Sequence, residues 1–427
     1  MAEFKNYRLE IQLEAQSPLI HFQADEKHYK EHPGVTIRAS EVKPKLDRFL
    51  IKKLEKTGRC LDQMKEKYPS FFVDIKHNAL NYKMEIEHRE NSVLIELSPK
   101  DKQLRYDLYY GNMGEDQEVK KMGVMSNPTV IIFCMVEELR KLIQEYIIEF
   151  FVVTNFGTMQ NKGFGSFLPN DCGFKMALKK DQEEIIAGFL LEDMIDPMEK
   201  ERNCRKICYG IRFHGYQGNK YKDKNMYWIK IFNEIKQFYG VMKSGQNFQG
   251  YARSFIYDYM HKEPRNIDNE KAWMKQEGIS PAVSTNKDLD EVRQDVNPKY
   301  VRAMLGTGET ISYIKEEGKP CNEKGRVPVT ITSCDKNISR VPSPIFFKII
   351  RNVVFIIARK VPEEIYGKEF RFENKLWNKE GVLKTPDEFD IDDFLMQYVD
   401  YYNKQLRDKV HNMDRNKRVV EIKCIGM

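Results

Sequence analysis

The opening of the chain has the pattern of a strand followed by a helix. Apolar and polar residues alternate over residues 4–16, which predicts a strand that is buried on one face. Pro18 ends this pattern because proline cannot donate a hydrogen bond to a neighbouring strand. Apolar residues at helical spacing then predict a helix that Ser40 caps, with Pro44 in its first turn.

The middle of the chain continues as a mixture of strands and helices. Residues 80–87 and 93–97 predict a β-hairpin, and the β-branched residues 129–135 predict a buried strand. Residues 136–151 predict a helix, and residues 166–168 predict the start of a further strand. This order favours an α+β fold class with an antiparallel sheet and helices on one face.

Strand patterns return in the last third of the chain. Residues 343–358 predict a tight hairpin. The segment Ser343-Pro344-Ile345 beside this hairpin repeats the segment Ser17-Pro18-Leu19 beside the first strand, which favours two related α+β halves. Residues 261–298 lie between them and are dense in charge, Asn and Pro, so we expect a flexible insertion there.

The composition is that of a mildly basic protein. The 427 residues include 70 basic and 64 acidic side chains, a net charge of +6. This excess permits a nucleic-acid binder if the basic residues are gathered on one face. We expect a cytoplasmic protein, because the sequence lacks an apolar run of transmembrane length and a signal-peptide core. The eight cysteines are scattered, so we expect reduced thiols.

A glycine-rich stretch, residues 154–167, forms the predicted connection between a helix and a strand. Its Gly163 and Gly165 allow positive φ and close approach of another backbone. Four polar side chains could donate to phosphate, sugar or base atoms, namely Asn155, Gln160, Asn161 and Lys162. Phe156 and Phe164 could stack on bases. The alternative is a plain loop that turns the helix onto the strand.

Basic residues gather around the start of the first predicted helix. They are Arg38, Lys43, Lys45 and Arg48. A helix N-terminus attracts phosphate through its free amide groups and its dipole, and these cations would strengthen the attraction. The alternative is an ordinary solvated helix face.

Signals for metal binding and catalysis are weak. His28 and His32 are four residues apart, as are Cys204 and Cys208, but neither pair has a second pair at zinc spacing. The sequence therefore predicts no metal and no cofactor. A histidine of the loop that holds His28 and His32 could act as general base in metal-free RNA cleavage. The alternative is a solvated polar loop. We therefore expect a protein that is not an enzyme.

Three segments together resemble the RAMP superfamily of CRISPR-associated proteins. They are the strand that ends in Ser17-Pro18-Leu19-Ile20, the helix start from Ile37 to Leu46, and Gln160-Asn161-Lys162-Gly163-Phe164-Gly165-Ser166. Within the superfamily, the sequence is most similar to the family of subunit one of the Cmr (type III-B) complex.

The resemblance implies a fold and a domain division. We expect two ferredoxin-like (RRM-like) domains with antiparallel sheets. Residues 1–200 would hold the glycine-rich loop, and residues 201–427 would carry a helical insertion at about 215–300.

The resemblance also implies a function, a non-catalytic RNA-binding subunit of a type III effector complex in antiviral defence. Guide CRISPR RNA, target RNA and other RAMP subunits are the expected partners, with no membrane. The expected RNA contacts are Arg38, Lys43, Lys45, Arg48, Asn155, Phe156, Gln160, Asn161, Lys162, Gly163, Phe164 and Gly165. The alternative is a metal-free guide-processing endoribonuclease of the same superfamily that uses His28 or His32.

Overall fold

The computed structural model describes most of the chain. The described residues are 5–20, 36–56, 58, 61–88, 92–96, 122–175, 177–194, 206–213, 224–248, 250–252, 254–281, 298–308, 310–323, 325–338, 340–406 and 421–426. Numbered in chain order, the helices are α1 (Ala39–Glu55), α2 (Leu61–Lys67), α3 (Glu137–Val153), α4 (Lys180–Met194), α5 (Lys224–Lys243), α6 (Phe255–His261), α7 (Glu270–Gln276) and α8 (Ile391–Tyr401). Single turns of 3-10 helix lie at Pro69–Phe71, Val301–Leu305 and Glu363–Ile365.

The strands are numbered in the same way. They are β1 (Arg8–Ala15), β2 (Phe72–Asp74), β3 (Ala79–Leu80), β4 (Lys83–Glu87), β5 (Val93–Glu96), β6 (Met122–Met125), β7 (Thr129–Phe133), β8 (Phe167–Pro169), β9 (Cys208–Arg212), β10 (Gln246–Phe248), β11 (Gly250–Ala252), β12 (Asp268–Asn269), β13 (Pro298–Lys299), β14 (Thr310–Ile314), β15 (Arg326–Ser333), β16 (Ile345–Ile350), β17 (Val353–Ala358), β18 (Glu369–Asn374), β19 (Lys379–Lys384) and β20 (Ile422–Gly426). The α+β prediction is confirmed at the level of mixed helices and antiparallel sheets.

The chain divides into two compact units. The first comprises Met1–Lys236, Phe346–Ile357 and Val420–Met427, and the second comprises Gln237–Ile345 and Ala358–Val419. The predicted domains, residues 1–200 and 201–427, stay a prediction.

One four-stranded sheet of the first unit is built around β1. Its strand order is β4-β7-β1-β8, with antiparallel pairing throughout. Leu9, Ile11 and Leu13 of β1 are buried on one face, as the alternation predicts. The predicted hairpin over residues 80–97 is wrong, because β4 pairs with β7 while β5 pairs with β6.

A second four-stranded sheet of the first unit has the order β16-β17-β9-β20. The predicted hairpin over residues 343–358 is confirmed as β16 and β17, and Arg351 in its turn has a φ of +53°. Helix α4 packs against α3 and against β9 and β20. Apolar side chains of both sheets therefore join one buried core.

Helix α1 begins earlier than predicted. Arg38, rather than Ser40, is its N-cap residue, and no side chain caps the helix. Because the helix starts at Ala39, Pro44 lies in the second turn and not in the first. The missing proline N–H leaves the carbonyl of Ser40 without its i+4 donor.

The second unit holds an antiparallel sheet of order β14-β15-β18-β19, together with α6, α7 and α8. Aromatic rings of α6 and α8 pack against one another, including Phe255 with Phe394 and Tyr398. Part of the predicted insertion is ordered as β12 and α7. Residues 282–297 lie outside the described residues, so its mobility stays a prediction. Among the helices of the described residues, none is long and apolar enough to cross a membrane.

Candidate nucleic-acid interface

The glycine-rich loop, residues 154–166, connects α3 to β8 as predicted. Its three glycines have positive φ, +74° at Gly157, +87° at Gly163 and +67° at Gly165. A Cβ on Gly165 would lie 2.0 Å from the carbonyl oxygen of Phe156. Position 165 therefore excludes any side chain, both by conformation and by lack of space.

Ser17 of the first Ser-Pro segment fixes the end of the loop. Its Oγ donates to the carbonyl oxygen of Gly163 at 2.7 Å and accepts from the amide of Ser166 at 2.9 Å. The amide of Gly165 donates to the carbonyl oxygen of Pro18 at 2.9 Å. These bonds satisfy buried polar groups of a turn that has no regular ladder.

Helix α1 holds the other side of the loop through Lys45. The Nζ of Lys45 donates to Glu41 at 2.7 Å, to the carbonyl oxygen of Asn155 at 2.9 Å and to Oε1 of Gln160 at 2.9 Å. The same Glu41 carboxylate accepts from the amide of Gly157 at 2.8 Å. Since an ammonium has three N–H donors, Lys45 is fully used inside the protein. It holds the loop in position, and its predicted role as a phosphate contact stays a prediction.

Lys43 is also bound internally. Its Nζ donates to Asp47 at 2.8 Å and to the carbonyl oxygen of Leu80 at 3.0 Å, and it lies 4.3 Å from the ring centroid of Tyr82. Burial, followed by the nearby Asp47, raises the pKa of Tyr82. Lys43 thus links α1 to the end of β3, and its predicted phosphate contact stays a prediction.

Strand β16 runs along the third side of the loop. The amide of Phe347 donates to the carbonyl oxygen of Asn161 at 3.1 Å. The Nδ2 of Asn155 donates to the carbonyl oxygens of Phe347 at 2.9 Å and of Gln160 at 2.7 Å. Asn155 is 1% exposed, so it stabilises the loop from inside and does not face a ligand.

Lys348 is a buried contributor that sequence reasoning missed. It is 0% exposed, and its Nζ donates to the carbonyl oxygens of Phe151 and Thr154 at the end of α3. The Oγ of Ser166 adds a bond of 2.6 Å to the carbonyl oxygen of Ile349. The available signal was a single lysine in the middle of an apolar strand, where a charge requires partners.

The two aromatic rings of the loop belong to the core. Phe156 is 0% exposed and packs edge-on against Phe150 and Phe167. Phe164 is 3% exposed, and its ring stacks on Phe232 with centroids 3.7 Å apart. Both rings therefore have a packing role in this structure, and their predicted stacking on bases stays a prediction.

Lys162 also points inward. Its Nζ is buried and lies 5.7 Å from the ring centroid of Phe347. An ammonium over an aromatic face is stabilised by the ring quadrupole. The predicted phosphate contact of Lys162 is therefore not formed by this conformation of the side chain.

Few residues of the predicted RNA-binding set are accessible at the surface. Arg38 and Arg48 are exposed on α1, and Gln160 and Asn161 are half-buried at the outer edge of the loop. Thr158 of the same loop is also exposed, and the sequence did not point to it, because threonine carries no distinctive signal. These residues form what we call the outer edge of the site.

The histidine alternative lies outside the described residues, since His28 and His32 fall there, as does Cys204. Within the described part of the chain, no group of three or more His, Cys, Asp or Glu side chains could hold a metal ion.

The class of protein follows from two family models. A model of the Cmr1 N-terminal domain matches residues 6–246, and one of the Cmr1 C-terminal domain matches residues 251–419. These are models of type III-B CRISPR-associated proteins of the RAMP superfamily. The chain belongs to the Cmr1 family.

Solved structures give more distant similarities. A crystal structure of Cmr1 from Pyrococcus furiosus in its apo form aligns over 98% of this chain and 99% of that chain, with 10% identity and a TM-score of 0.41. A chain in a cryo-EM structure of the type III-B Cmr-beta complex bound to cognate target RNA aligns over 38% of this chain and 58% of that chain, with 14% identity and a TM-score of 0.26. No curated protein sequence matches the chain significantly.

Proposed function

We propose that the protein is a non-catalytic RNA-binding subunit of a type III-B CRISPR effector complex. Guide CRISPR RNA, target RNA and other RAMP subunits are the proposed partners. The observation that carries the proposal is that Cmr1 domain models match residues 6–246 and 251–419. The net charge of +6 is compatible with a polyanionic partner.

The outer edge of the site supplies the proposed RNA contacts. Arg38 is exposed at the N-terminus of α1, where no side chain caps the helix. Arg48 is exposed on the same helix, and both guanidinium groups suit phosphate oxygens. Thr158, Gln160 and Asn161 can hydrogen-bond sugar and base edges of single-stranded RNA.

The buried members of the predicted set have a positioning role in this proposal. Lys45, Asn155 and the glycines fix the backbone of the loop from three sides. A loop held in one conformation presents its edge to RNA without a further loss of conformational entropy on binding. This explains why residues that never touch RNA would still affect RNA affinity.

We further propose that both four-stranded sheets of the first unit are ferredoxin-like. In chain order, β1, α1, β4, β7, α3 and β8 give the sequence β-α-β-β-α-β. The sheet orders, β4-β7-β1-β8 and β16-β17-β9-β20, correspond strand for strand. An experimental structure with a different strand order would contradict this part.

The binding proposal is tested by titrating the full chain with a labelled single-stranded RNA at several salt concentrations. We expect salt-dependent binding, and Arg38→Gln or Arg48→Gln should lower the slope of log K against log salt by about 0.7 per lost phosphate contact. Arg326→Gln, at an exposed arginine of β15, is the matched control. RNA binding that is absent or independent of salt would overturn the proposal.

The non-catalytic part needs a separate measurement. Incubation with CRISPR repeat RNA in EDTA should leave the RNA intact. Cleavage that disappears in His28→Ala or His32→Ala would instead establish the metal-free endoribonuclease.

A further inference from the structure

A second Ser-Pro segment lies beside a second strained glycine, in the second unit. Gly306 has a φ of +94°, and a Cβ there would lie 2.9 Å from the amide nitrogen of Ser343. Lys243, the last residue of α5, donates to the carbonyl oxygen of Leu305 at 3.3 Å and to that of Gly306. A Ser-Pro segment, a glycine of positive φ and a lysine of a helix thus lie together here, as they do at the glycine-rich loop.

The floor of this arrangement is a buried arginine. Arg302 lies on the turn Val301–Leu305, and its side chain is 8% exposed. Its Nε bonds to the carboxylate of Glu270, which also accepts from the amide of Val301 at 3.2 Å. The Nη2 of Arg302 is buried and makes no hydrogen bond among the described residues, although the phenol of Tyr313 interacts with the same guanidinium. A buried guanidinium N–H without an acceptor is costly and is expected to serve a ligand.

The local charge is positive. Arg302 and Arg340 both act on Lys243 as like charges, and Glu270 is the acidic group that opposes them. The phenols of Tyr257, Tyr300 and Tyr313 surround Arg302 and are neutral, because burial raises their pKa values. Burial, with help from Arg302, lowers the pKa of Lys243 to about 7. An added anion would relieve this repulsion.

The residues of this arrangement differ in exposure. Arg340 is exposed, and Lys243 and Thr307 are half-buried, whereas Arg302 and Gly306 are buried. We call Lys243, Arg302, Gly306 and Arg340 the Gly306 cluster. It combines a planar guanidinium, an ammonium and an exposed arginine, which is the donor set of oxoanion sites.

We propose that the Gly306 cluster is an oxoanion site that takes a phosphodiester group of bound RNA. The assignment to RNA rests on the proposed function. The phosphate oxygens would accept from Nη2 of Arg302 and from Arg340, and their charge would favour the ammonium form of Lys243. The outer edge of the site and the Gly306 cluster are then two separate contacts for the RNA backbone.

The first test uses sulfate, which does not titrate near neutral pH. Calorimetric titration of the full chain at pH 8, in two buffers of different ionisation enthalpy, should show proton uptake on sulfate binding, because the anion raises the pKa of Lys243. At pH 6 the lysine is already protonated, so uptake should vanish. Lys243→Met should abolish the uptake at pH 8, and Arg326→Gln should retain it. Sulfate binding without proton uptake, or no sulfate binding, would overturn the site.

The second test uses a single-stranded RNA without terminal phosphates. Arg340→Gln should weaken its binding about tenfold, as expected for a lost charge-assisted hydrogen bond, and Arg326→Gln should not. If the wild-type chain binds RNA and Arg340→Gln binds equally well, this inference fails and the proposed function stands. If the wild-type chain binds sulfate with proton uptake but no RNA, the assignment to RNA and the proposed function both fail.

Discussion

Lys348 places its Nζ 2.8 Å from the carbonyl oxygen of Phe151, in the last turn of α3, and 2.7 Å from that of Thr154. A cation at a helix C-terminus interacts favourably with the helix dipole and with carbonyls that have no partner in the helix. Lys348 belongs to β16, so one charge joins this strand to the start of the glycine-rich loop. The loop is thereby anchored from a position almost 200 residues away in sequence.

Replacement of Lys348 should therefore destabilise the fold. Lys348→Met preserves most of the volume but leaves two buried carbonyls without a donor, and we expect a loss of about 2–4 kcal/mol in the free energy of unfolding. Urea unfolding followed by circular dichroism measures this loss. Lys141→Met, at a lysine of α3 whose side chain is 70% exposed, should change little. Equal effects of the two substitutions would show that the charge is not an anchor.

The sequence predicted those elements whose signal is local. The strand β1, the helix α3 and the hairpin of β16 and β17 follow from period and turn residues within about twenty positions. The pairing of β4 with β7 joins residues more than forty positions apart, such as Glu87 and Thr129. No local pattern encodes such a pairing. The sequence therefore pointed to the adjacent apolar run at 93–97 as the partner of β4, which was wrong.

Lys45 and Gln160 should be energetically coupled. Lys45 donates to Oε1 of Gln160 at 2.9 Å. We therefore expect Lys45→Met to lower the free energy of unfolding by about 1–2 kcal/mol. Gln160→Ala should cause part of the same loss, because it removes the same hydrogen bond. A double-mutant cycle on urea unfolding measures this coupling. Hydrogen exchange should also show faster exchange at the amide of Gly157, which bonds the partner carboxylate Glu41. Strict additivity would contradict the proposed positioning role.

Two glycines of similar φ allow the cost of backbone strain to be distinguished from the cost of steric crowding. Gly165 and Gly173 have φ of +67° and +77°, but only Gly165 lacks room for a Cβ, whereas Gly173 has nothing within 4 Å. We expect Gly173→Ala to cost about 1 kcal/mol, from backbone strain alone. Gly165→Ala should cost more than about 3 kcal/mol, because the contact with Phe156 adds to the strain. Similar losses in the two variants would refute the role of close approach.

The sequence predicted where the candidate site lies but not what each of its side chains does. The glycine-rich loop and the start of α1 do lie together, as the bonds from Lys45 to Asn155 and Gln160 show. The sequence could not distinguish a lysine that faces solvent from one that is bound internally. That distinction depends on acceptors from distant segments, such as the carbonyl oxygens that bind Lys43 and Lys45.

Phe164→Leu tests whether the aromatic ring of the loop packs in the core or stacks on a base. Its ring is 3% exposed and stacks on Phe232, so we expect a loss of about 1–2 kcal/mol in stability. RNA affinity of the folded fraction should be unchanged. Phe133→Leu, at a ring that is 41% exposed, is the control for the stability effect. A fall in RNA affinity at unchanged stability would restore the base-stacking role.

Lys243 should make stability depend on pH above neutrality. Burial lowers its pKa to about 7 in the folded protein, against about 10.4 in an unfolded chain. Between these values the unfolded state binds more protons, so the free energy of unfolding rises with pH. For this one group, we expect a gain of about 2 kcal/mol in the free energy of unfolding between pH 7 and pH 9.

Urea unfolding of the wild type and of Lys243→Met at pH 7, 8 and 9 isolates the contribution of Lys243, because contributions of all other groups cancel in the difference. The variant should be more stable relative to wild type at pH 7 than at pH 9, while Arg326→Gln, at an exposed arginine of β15, should follow the wild type. A difference between Lys243→Met and wild type that does not vary with pH would mean that Lys243 stays charged in the folded protein.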